Sequence, residues 1–407
     1  MTPSDSDPAR ADPAQARPEL RALFCVARAR LTPADSAELA GLLQAGLDWN
    51  YLLQAAVRHG VWPLLHRHLE ALPADSFPAA VRETLREVMR GHADHVKKHV
   101  GILHQLLDAF RAAGLDLTPY KGPVLGARLF GDPAMRQFSD LDWLVRREEA
   151  RPTGACLRAL GFQPSLGAPP GWEAWYERAR HEYSFHHSAL DCFVEVHWGA
   201  WPRFVAMPVD IRAFWDRRET VLLDGRPVPS LPMEELLFFL SLHGTKHQWV
   251  RLAWLADIAE LIRSTPALDW VRVQTLAAQS RSTRFLHVGL WLAYHLLAAP
   301  VPAAVAAQLT ADPRVEPLAR AMAAHVCGGS LSAPAETEHL RFMYRTLPRL
   351  RDRLRFIWGV AVEPCRDDWT ACPLPPVCVG LYAVVRPARL CWLALQRRLA
   401  RGGTSQS

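Results

Sequence analysis

The segment Phe138-Ser139-Asp140-Leu141-Asp142-Trp143-Leu144-Val145 carries the clearest strand signal in the chain. Successive side chains of a β-strand point to opposite faces, so Asp140 and Asp142 share one face while Leu141 and Val145 lie on the other. With a rise of roughly 3.3 Å per residue, the two carboxylates are about 7 Å apart along the strand. The pattern predicts a strand over residues 138–145 that docks its apolar face on helices.

Two interpretations of this acidic face are open. Neighbouring carboxylates repel and raise each other's pKa unless a cation lies between them. A hard cation such as Mg²⁺ binds a few carboxylates together with substrate phosphates, and it would satisfy that need. The alternative is an Asp-x-Asp pair on a solvated strand face without a ligand.

A third acid lies in a predicted hairpin downstream. Residues 181–187 and 191–198 alternate like strands and are separated by Ser188-Ala189-Leu190. In the second strand Glu195 and His197 share a face, and if this strand lies beside residues 138–145, Glu195 joins the two aspartates. Three acids on neighbouring strands suit two-metal phosphoryl transfer, in which the third also takes a proton from the attacking hydroxyl. A cross-strand ion pair is the alternative for Glu195.

Upstream, Lys121-Gly122-Pro123 marks a junction between a strand and a helix. The strand, residues 115–120, is expected at a sheet edge because Pro119 lacks an N–H, and the helix is expected to run to about Phe130. Gly122 would let the backbone approach a phosphate at the helix N-terminus. Lys121 is then either a phosphate counter-charge or an ordinary turn lysine. Arg136 either contacts a triphosphate or braces the carboxylates.

Helical periodicity dominates the rest of the chain. We expect an α+β fold in which a small mixed β-sheet core is embedded in a mainly helical protein. Single helices are predicted over 96–113, 147–160, 233–264, 270–280 and 285–298. The expected organisation is a disordered tail (1–18), an N-terminal helical region (19–99), an α/β core (100–230), a helical domain (231–350), and a Pro-rich segment with a basic amphipathic C-terminal helix (351–407).

One stripe of the predicted helix 233–264 is rich in polar residues: His243, Lys246, His247, Val250, Trp254 and Asp257 fall at helical spacing. A stripe of this kind faces solvent, a cleft or internal partners. We expect Lys246, with His243 nearby, to reach a triphosphate. The alternative is that the two histidines are satisfied core residues and that a neighbouring donor holds Asp257.

Composition and charge narrow the function classes. Among 407 residues, 50% are hydrophobic and 22% charged, which excludes a disordered chain. The net charge of +6 permits contact with phosphates without indicating a nucleic-acid binder. The chain has no Gly-x4-Gly-Lys-Ser/Thr loop, Gly-x-Gly-x-x-Gly fingerprint or Gly-x-Ser-x-Gly elbow.

The protein is expected to be cytoplasmic. Its eight cysteines show no zinc-ligand spacing, and residues 1–19 have no signal-peptide pattern. The apolar run 377–385 stops at Arg386-Pro387 and is too short for an integral membrane segment. Peripheral membrane contact through the arginines and apolar residues near 386–398 is one alternative, and a C-terminal helix packed on the body is favoured over it.

Together the motifs resemble the uncharacterised nucleotidyltransferase family of the DNA polymerase β-like superfamily. The resemblance rests on Tyr120-Lys121-Gly122, Leu129-Phe130-Gly131-Asp132, Arg136-x-x-Ser139-Asp140-Leu141-Asp142-x-Leu144-Val145, Val194-Glu195-Val196-His197-Trp198, His243-Gly244-Thr245-Lys246-His247 and Trp254-Leu255-Ala256-Asp257. Tyr120 stands where the family usually has leucine. Lys121-Gly122 replaces the glycine-serine pair common in the superfamily.

The resemblance implies transfer of a nucleoside monophosphate from an NTP such as ATP to a hydroxyl acceptor, with release of pyrophosphate. Mg²⁺ or Mn²⁺ is the implied cofactor, with Asp140, Asp142 and Glu195 as catalytic residues and metal ligands. The expected nucleotide-binding residues are Lys121, Gly122, Arg136, Ser139, His197, His243 and Lys246. The acceptor could be a protein, a tRNA or a small molecule. The alternative function is a catalytically inactive module that binds a nucleotide, peptide or tRNA.

Overall fold

A five-stranded sheet lies among helices in an α+β fold. The computed structural model describes residues 13–166, 171–205, 207–328 and 335–403. The strands are β1 (Thr118–Pro119), β2 (Asp140–Leu144), β3 (Gln163–Leu166), β4 (Glu182–His187), β5 (Cys192–His197), β6 (Glu219–Leu223) and β7 (Arg226–Ser230). The large sheet has the order β1-β2-β5-β4-β3, and β6 and β7 form a separate hairpin.

The α-helices of the described residues are α1 (Pro18–Val26), α2 (Pro33–Ala45), α3 (Trp49–His59), α4 (Trp62–Glu70), α5 (Ala79–Ala112), α6 (Gly122–Phe130), α7 (Ala150–Ala159), α8 (Glu173–Ala179), α9 (Arg212–Trp215), α10 (Met233–Lys246), α11 (Leu252–Ser264), α12 (Trp270–Gln279), α13 (Thr283–Leu297), α14 (Ala303–Leu309), α15 (Val315–Cys327), α16 (Glu336–Thr346), α17 (Leu350–Val362), α18 (Arg366–Ala371) and α19 (Tyr382–Gly403).

The central strands pair in the arrangement that brings the acids of the two predicted strands together. β2 and β5 are parallel neighbours, and Asp142 lies opposite Glu195. β4 and β5 form the predicted antiparallel hairpin, in which Glu182 lies opposite His197. β1 is shorter than predicted, and it occupies a sheet edge as its proline requires. The parallel register therefore brings the acids of β2 and β5 onto one face.

The opposite face of these strands is buried against helices. Leu141, Trp143, Val194 and Val196 are at most 1% exposed. The Trp143 ring packs edge to face on Phe110 of α5, with their centroids 5.2 Å apart. This packing fixes β2 and β5 and leaves their acidic face towards α10 and α11.

The prediction of one helix over 233–264 is wrong. Its two halves, α10 and α11, are separated by residues 247–251, in which Gln248 and Trp249 adopt left-handed backbone angles. The indole of Trp249 is fully buried between two helical glycines. A β-carbon on Gly244 would lie 2.3 Å from this ring and one on Gly289 would lie 2.7 Å from it, so both positions need glycine. The break turns α11 back beside α10.

The predicted helix over 96–113 is the C-terminal part of the much longer α5, which begins at Ala79. The predicted tail over 1–18 is partly structured. Residues 1–12 lie outside the described part of the chain, a 3₁₀ turn covers Pro13–Gln15, and α1 already begins at Pro18. Regular structure therefore begins a few residues earlier than predicted.

The helix α19 continues past Arg386-Pro387 because it accommodates Pro387 in its interior. By length and composition alone, the 18 residues Pro376–Leu393 could therefore cross a membrane, and little of this segment is buried in the protein. A single helix of this kind is weak evidence for a membrane segment, so it does not overturn the prediction that the apolar run stops at Arg386-Pro387.

Candidate active site

A cavity of about 600 Å³ opens between the acidic face of β2, β4 and β5 and the ends of α10 and α11. The lining includes most of the predicted site residues together with several others: Tyr120, Lys121, Arg136, Gln137, Phe138, Ser139, Asp140, Asp142, Glu182, Glu195, His197, Gly199, Ala200, Phe239, Leu242, His243, Lys246, His247, Arg251 and Trp254.

Asp142, Glu195 and His197 form the centre of the cavity. Nε2 of His197 lies 3.1 Å from Oδ1 of Asp142 and 3.2 Å from Oε2 of Glu195, and ligand atoms of all three residues lie within 4.8 Å of one another. Asp142 is buried, whereas the Glu195 side chain remains 31% exposed. The three groups are close enough to share one cation.

His197 holds the acids in place as a hydrogen-bond donor. Its second nitrogen, Nδ1, lies 3.2 Å from Oε2 of Glu182. Burial on its own lowers the pKa of His197, but its contact with Tyr120 and its hydrogen bonds to three carboxylates raise that pKa well above the usual value. A protonated His197 donates from both nitrogens, so its position suits fixing the carboxylates better than contacting a nucleotide.

Lys121 points into the acidic cluster. Its Nζ donates a hydrogen bond of 2.7 Å to Oδ1 of Asp142, and both side chains are almost fully buried. Burial opposes ionisation of both partners, but the attraction between them raises the pKa of Lys121 and lowers that of Asp142. Lys121 therefore already compensates one carboxylate of the pair.

Asp140 has the least charge compensation of the three predicted acids. Burial and the charge of Asp142 raise its pKa to about 7, and Glu195 adds to the rise. Lys121 and Arg136 oppose that rise without cancelling it. A divalent cation at this face would relieve the repulsion, so the residues present fit a metal-binding site.

A fourth acid, Glu182 of β4, joins the cluster. Nζ of Lys246 and Nε2 of His181 each lie 3.2 Å from its Oε2. Burial raises the pKa of Glu182, but Lys246 and the two neighbouring histidines hold it well below the usual value. Lys246 thus lines the cavity from α10 with its amine paired with Glu182, and its contact with a triphosphate stays a prediction.

Arg136 braces the helical part of the protein. Its Nε lies 3.1–3.2 Å from both carboxylate oxygens of Asp257 in α11, and its Nη2 lies 3.0 Å from Oδ2. Both side chains are at least nine-tenths buried. This contact matches the alternative expectation for Asp257, which a neighbouring donor holds, whereas Arg136 was expected to brace the carboxylates of the acidic strand and pairs with Asp257 of α11 instead. Contact between Arg136 and a phosphate stays a prediction.

The remaining predicted residues lie around the same cavity with one exception. Ser139 is exposed on its wall, and His243 is a half-buried lining residue. Burial and the nearby Lys121 hold the pKa of His243 well below the usual value. Gly122 does not line the cavity. At φ +56°, a β-carbon there would approach the Asp140 carbonyl oxygen to 3.3 Å, so Gly122 permits close packing of α6 on β2.

Sequence reasoning missed Glu182 and Arg251. Glu182 had a detectable signal, because strand alternation and the short hairpin loop place it opposite His197. Arg251 enters the cavity wall only because the chain breaks between α10 and α11. The predicted single helix gave no reason to expect it there.

A second cavity of about 510 Å³ adjoins the first. Two residues, Glu182 and Lys246, line both cavities. The other walls are mainly apolar and aromatic, and they include Trp201, Phe204, Leu340, Met343, Phe356, Val360 and Trp369. A polar cavity therefore borders an apolar one across the Glu182–Lys246 pair.

A comparison with protein families agrees with the motifs. The model of a family described as uncharacterised nucleotidyltransferase matches residues 45–298, which is more than half of the chain. Among solved structures, the chain is similar to the antibiotic-resistance factor ANT(2'')-Ia, with 19% identity, coverage of 46% of this chain and 92% of that chain, and a TM-score of 0.31. A comparison with curated proteins gave no match.

Proposed function

Because the chain belongs to the uncharacterised nucleotidyltransferase family, we propose that it transfers a nucleoside monophosphate from an NTP to a hydroxyl acceptor and releases pyrophosphate. The observation that carries this proposal is the register of β2 and β5, which sets Asp142 opposite Glu195 beside Asp140. These acids border a cavity of about 600 Å³, within the usual range for small-molecule sites.

Asp140, Asp142 and Glu195 would hold Mg²⁺ or Mn²⁺ in this proposal. Bound there, the ion would offset the charge of the triphosphate and of its transition state. The raised pKa of Asp140 supports the assignment, since this carboxylate lacks a full counter-charge of its own. Lys121 and His197 position Asp142 through their hydrogen bonds to its Oδ1.

Glu195 is the proposed general base. It is the most accessible carboxylate of the Asp142–Glu195–His197 group, and the hydrogen bond with His197 orients it. The acceptor hydroxyl would transfer its proton to Glu195 while its oxygen forms a bond to the α-phosphorus. The bond from the α-phosphorus to the bridging oxygen would break, and pyrophosphate would leave with that oxygen.

Cationic side chains on the opposite wall would bind the phosphates. Lys246 and Arg251 come from the two sides of the helix break. Lys246 is 30% exposed and only partly committed to Glu182, because its contacts of 3.2–3.5 Å leave donors available. Ser139 and His243 complete the proposed nucleotide-binding wall.

The apolar cavity is the proposed acceptor site. It meets the nucleotide cavity at Glu182 and Lys246, so a molecule bound there would lie next to the acidic cluster. Its aromatic walls suit an acceptor that carries an apolar group beside the reactive hydroxyl.

The direct test measures pyrophosphate release with Mg²⁺, each of the four NTPs and cell extract as the source of acceptor. We expect the Asp142→Asn and Glu195→Gln variants to lose roughly 10²–10⁴-fold in rate. Asp191→Asn is the matched control, because this acid lies in the turn of the same β4–β5 hairpin with an 85% exposed side chain. Mass spectrometry of the extract would identify the product by the added nucleotide mass. Equal rates of pyrophosphate release by the wild type, the Asp142→Asn and Glu195→Gln variants and the Asp191→Asn control would refute the proposal.

A second candidate is a protein that binds a nucleotide without turnover. The specific observation in its favour is the Lys121–Asp142 pair, because an internal ammonium group already compensates this carboxylate. In that case NTP would bind tightly, no pyrophosphate would appear, and Lys121→Met would strengthen Mg²⁺ binding. For an active enzyme, Lys121→Met would instead lower the rate of pyrophosphate release.

A further inference from the structure

An apolar stripe runs along the outer face of α17. Leu350, Leu354, Ile357 and Trp358 are 65%, 58%, 50% and 65% exposed. Their i, i+4, i+7 and i+8 spacing places them on one side of the helix. The other side is buried, with Phe356 among its residues. The helix is therefore seated on the protein by one face and presents an apolar face outwards.

A second stripe follows the C-terminal segment. Val377, Leu381, Val384, Trp392 and Leu395 are 90%, 54%, 70%, 59% and 49% exposed. From residue 381 onwards, their spacing keeps them near one side of α19 and of the turn that leads into it. Large apolar side chains exposed in rows, in contrast to scattered single ones, mark an interaction surface.

The inner face of α19 is fixed to the protein. Arg386 and Arg389 donate to the fully buried Asp368 at 2.5 and 2.6 Å. Arg386 also donates to the carbonyl oxygen of Val360 at 2.8 Å, which joins α19 to α17. The two exposed stripes therefore belong to two helices that are packed together. We call them the α17–α19 surface.

The charge of the chain is concentrated in the same region. Residues 341–407 contain 12 arginines and 4 acids, a net charge of +8, whereas residues 1–340 contain 35 basic and 37 acidic residues, a net charge of −2. Arg341, Arg345, Arg349, Arg351 and Arg355 have exposed positions in or before α17. A second copy of the chain would set like charges against each other, whereas an anionic lipid surface is complementary to them.

We propose that the α17–α19 surface docks on an anionic membrane, with its leucines and tryptophans in the headgroup region and its arginines on the lipid phosphates. Apolar, tryptophan-bearing and arginine-rich helix faces are the pattern of interfacial helices. The segment lies in the membrane plane instead of crossing it. A crossing would expose Arg386 and Arg389 to hydrocarbon and would leave the buried Asp368 without its two partners.

The test is flotation of the full chain with vesicles of phosphatidylcholine alone and of equimolar phosphatidylcholine and phosphatidylglycerol. We expect binding to the mixed vesicles that weakens as salt is raised. The variant Leu354→Ser/Trp358→Ser should bind about tenfold more weakly or worse, because it loses two large apolar side chains. Arg349→Gln/Arg351→Gln should also weaken binding, since each arginine near an anionic surface contributes.

Two control variants show whether binding depends on the α17–α19 surface itself. Val271→Ser removes a 78% exposed apolar side chain from α12, and it should bind vesicles like the wild type. Asp142→Asn should also bind normally, so failure of the proposed reaction would leave this inference standing. Circular dichroism would verify that each variant is folded.

Three results would overturn the proposal. One is an absence of flotation with the mixed vesicles, and another is equal flotation of the wild type and the Leu354→Ser/Trp358→Ser variant. The third is a dimer that forms without vesicles and that the same two substitutions dissociate. That result would assign the α17–α19 surface to self-association.

Discussion

Replacement of Asp257 by asparagine should destabilise the protein through its buried partner. The Arg136–Asp257 pair joins the loop before β2 to α11. Both Nε and Nη2 of Arg136 contact the Asp257 carboxylate, and the two side chains are almost fully buried. Removal of one partner leaves the other charge buried and unpaired, which costs roughly 3–5 kcal/mol of unfolding free energy. Arg136→Met should cost a similar amount for the same reason.

The double variant Arg136→Met/Asp257→Leu gives the sharper result. Apolar residues of similar size often replace a buried ion pair at little cost, so the double variant should be more stable than either single one. Equilibrium unfolding in urea, followed by tryptophan fluorescence, measures all three differences. Glu83→Gln is the matched control, because the Arg90–Glu83 pair is 3.2 Å long but 72% and 65% exposed. We expect that change to cost less than about 1 kcal/mol.

Two outcomes would refute this reasoning. One is a double variant that loses the sum of the two single losses, because the pair would then make no specific contribution. The other concerns nucleotide affinity. If Arg136 only braces α11, Asp257→Asn and Arg136→Met should weaken NTP binding to the same extent. A much larger loss for Arg136→Met alone would show that the guanidinium contacts the phosphates.

Three further predictions follow from packing, cavity shape and charge. Gly244→Ala should cost about 1–3 kcal/mol of unfolding free energy, because the added methyl group would overlap the buried indole of Trp249. Gly101→Ala in α5, where nothing lies within 4 Å, should be neutral or stabilising, and thermal unfolding measures both variants. Leu340→Trp, in the wall of the apolar cavity, should raise KM for the acceptor several-fold and leave the Kd of NTP unchanged, as steady-state kinetics and calorimetry would show. Below the ordinary carboxyl range of pH, α19 should lose protection in hydrogen exchange. Burial raises the pKa of Asp368, but the backbone amide of Cys365 and the side chains of Arg386 and Arg389 hold this pKa below its usual value. The stabilisation from Asp368 is therefore present above the unfolded-state pKa and is lost as the pH falls through the folded one, and Asp368→Asn should remove this pH dependence.

The acidic strand and the hairpin were predictable because their signals are local. Alternation of side chains assigns faces within any strand, and a short loop fixes the register of β4 against β5. That β5 lies beside β2 was a conditional expectation; the structure satisfies it and shows the two strands to be parallel. Residues 188–191 turn the chain between β4 and β5. The position of Glu195 on the acidic face therefore follows from the hairpin once β2 is placed beside β5.

The helix break was not predictable from local pattern. Gln248 and Trp249 adopt left-handed backbone angles, which neither residue type favours, and the helical periodicity continues across them. The compensating contact is long-range, because the Trp249 ring fills the space that Gly244 and Gly289 leave open on two different helices. A tertiary contact here overrides the local helical preference.

The β6–β7 hairpin is absent from the sequence-based prediction for a different reason. Asp224-Gly225 is a strong two-residue hairpin signal, and both residues have positive φ angles. Pro227 and Pro229 are of a residue type that is rare within strands, because proline cannot donate to the ladder. They lie opposite Leu222 and Thr220, at alternating positions of the antiparallel pair. Such alternation leaves the ladder bonds of Val228 intact, so the prolines are compatible with this two-stranded ribbon.

The charges around the cavity explain why a nucleotide would need an accompanying cation. Arg136 is paired with Asp257, and Lys246 with Glu182, so these four charges cancel locally. Among the other cations of the cavity, Lys121 and His197 contact Asp142 most closely and Arg251 lies on the opposite wall, so Asp140 has less compensation than Asp142. The proton that Asp140 retains up to a pH of about 7 expresses this remaining imbalance.

A triphosphate would add several negative charges to a cavity whose own charges are already nearly balanced. Lys121 cannot serve it without leaving Asp142 uncompensated, and the cost of an unpaired buried carboxylate is several kcal/mol by order of magnitude. In the proposed function, a divalent ion held by Asp140, Asp142 and Glu195 would supply the additional positive charge. In this proposal, the Lys121-Gly122 pair that replaces the superfamily's usual glycine-serine orients the metal ligands through its lysine, and phosphate binding falls to the cations on the opposite wall.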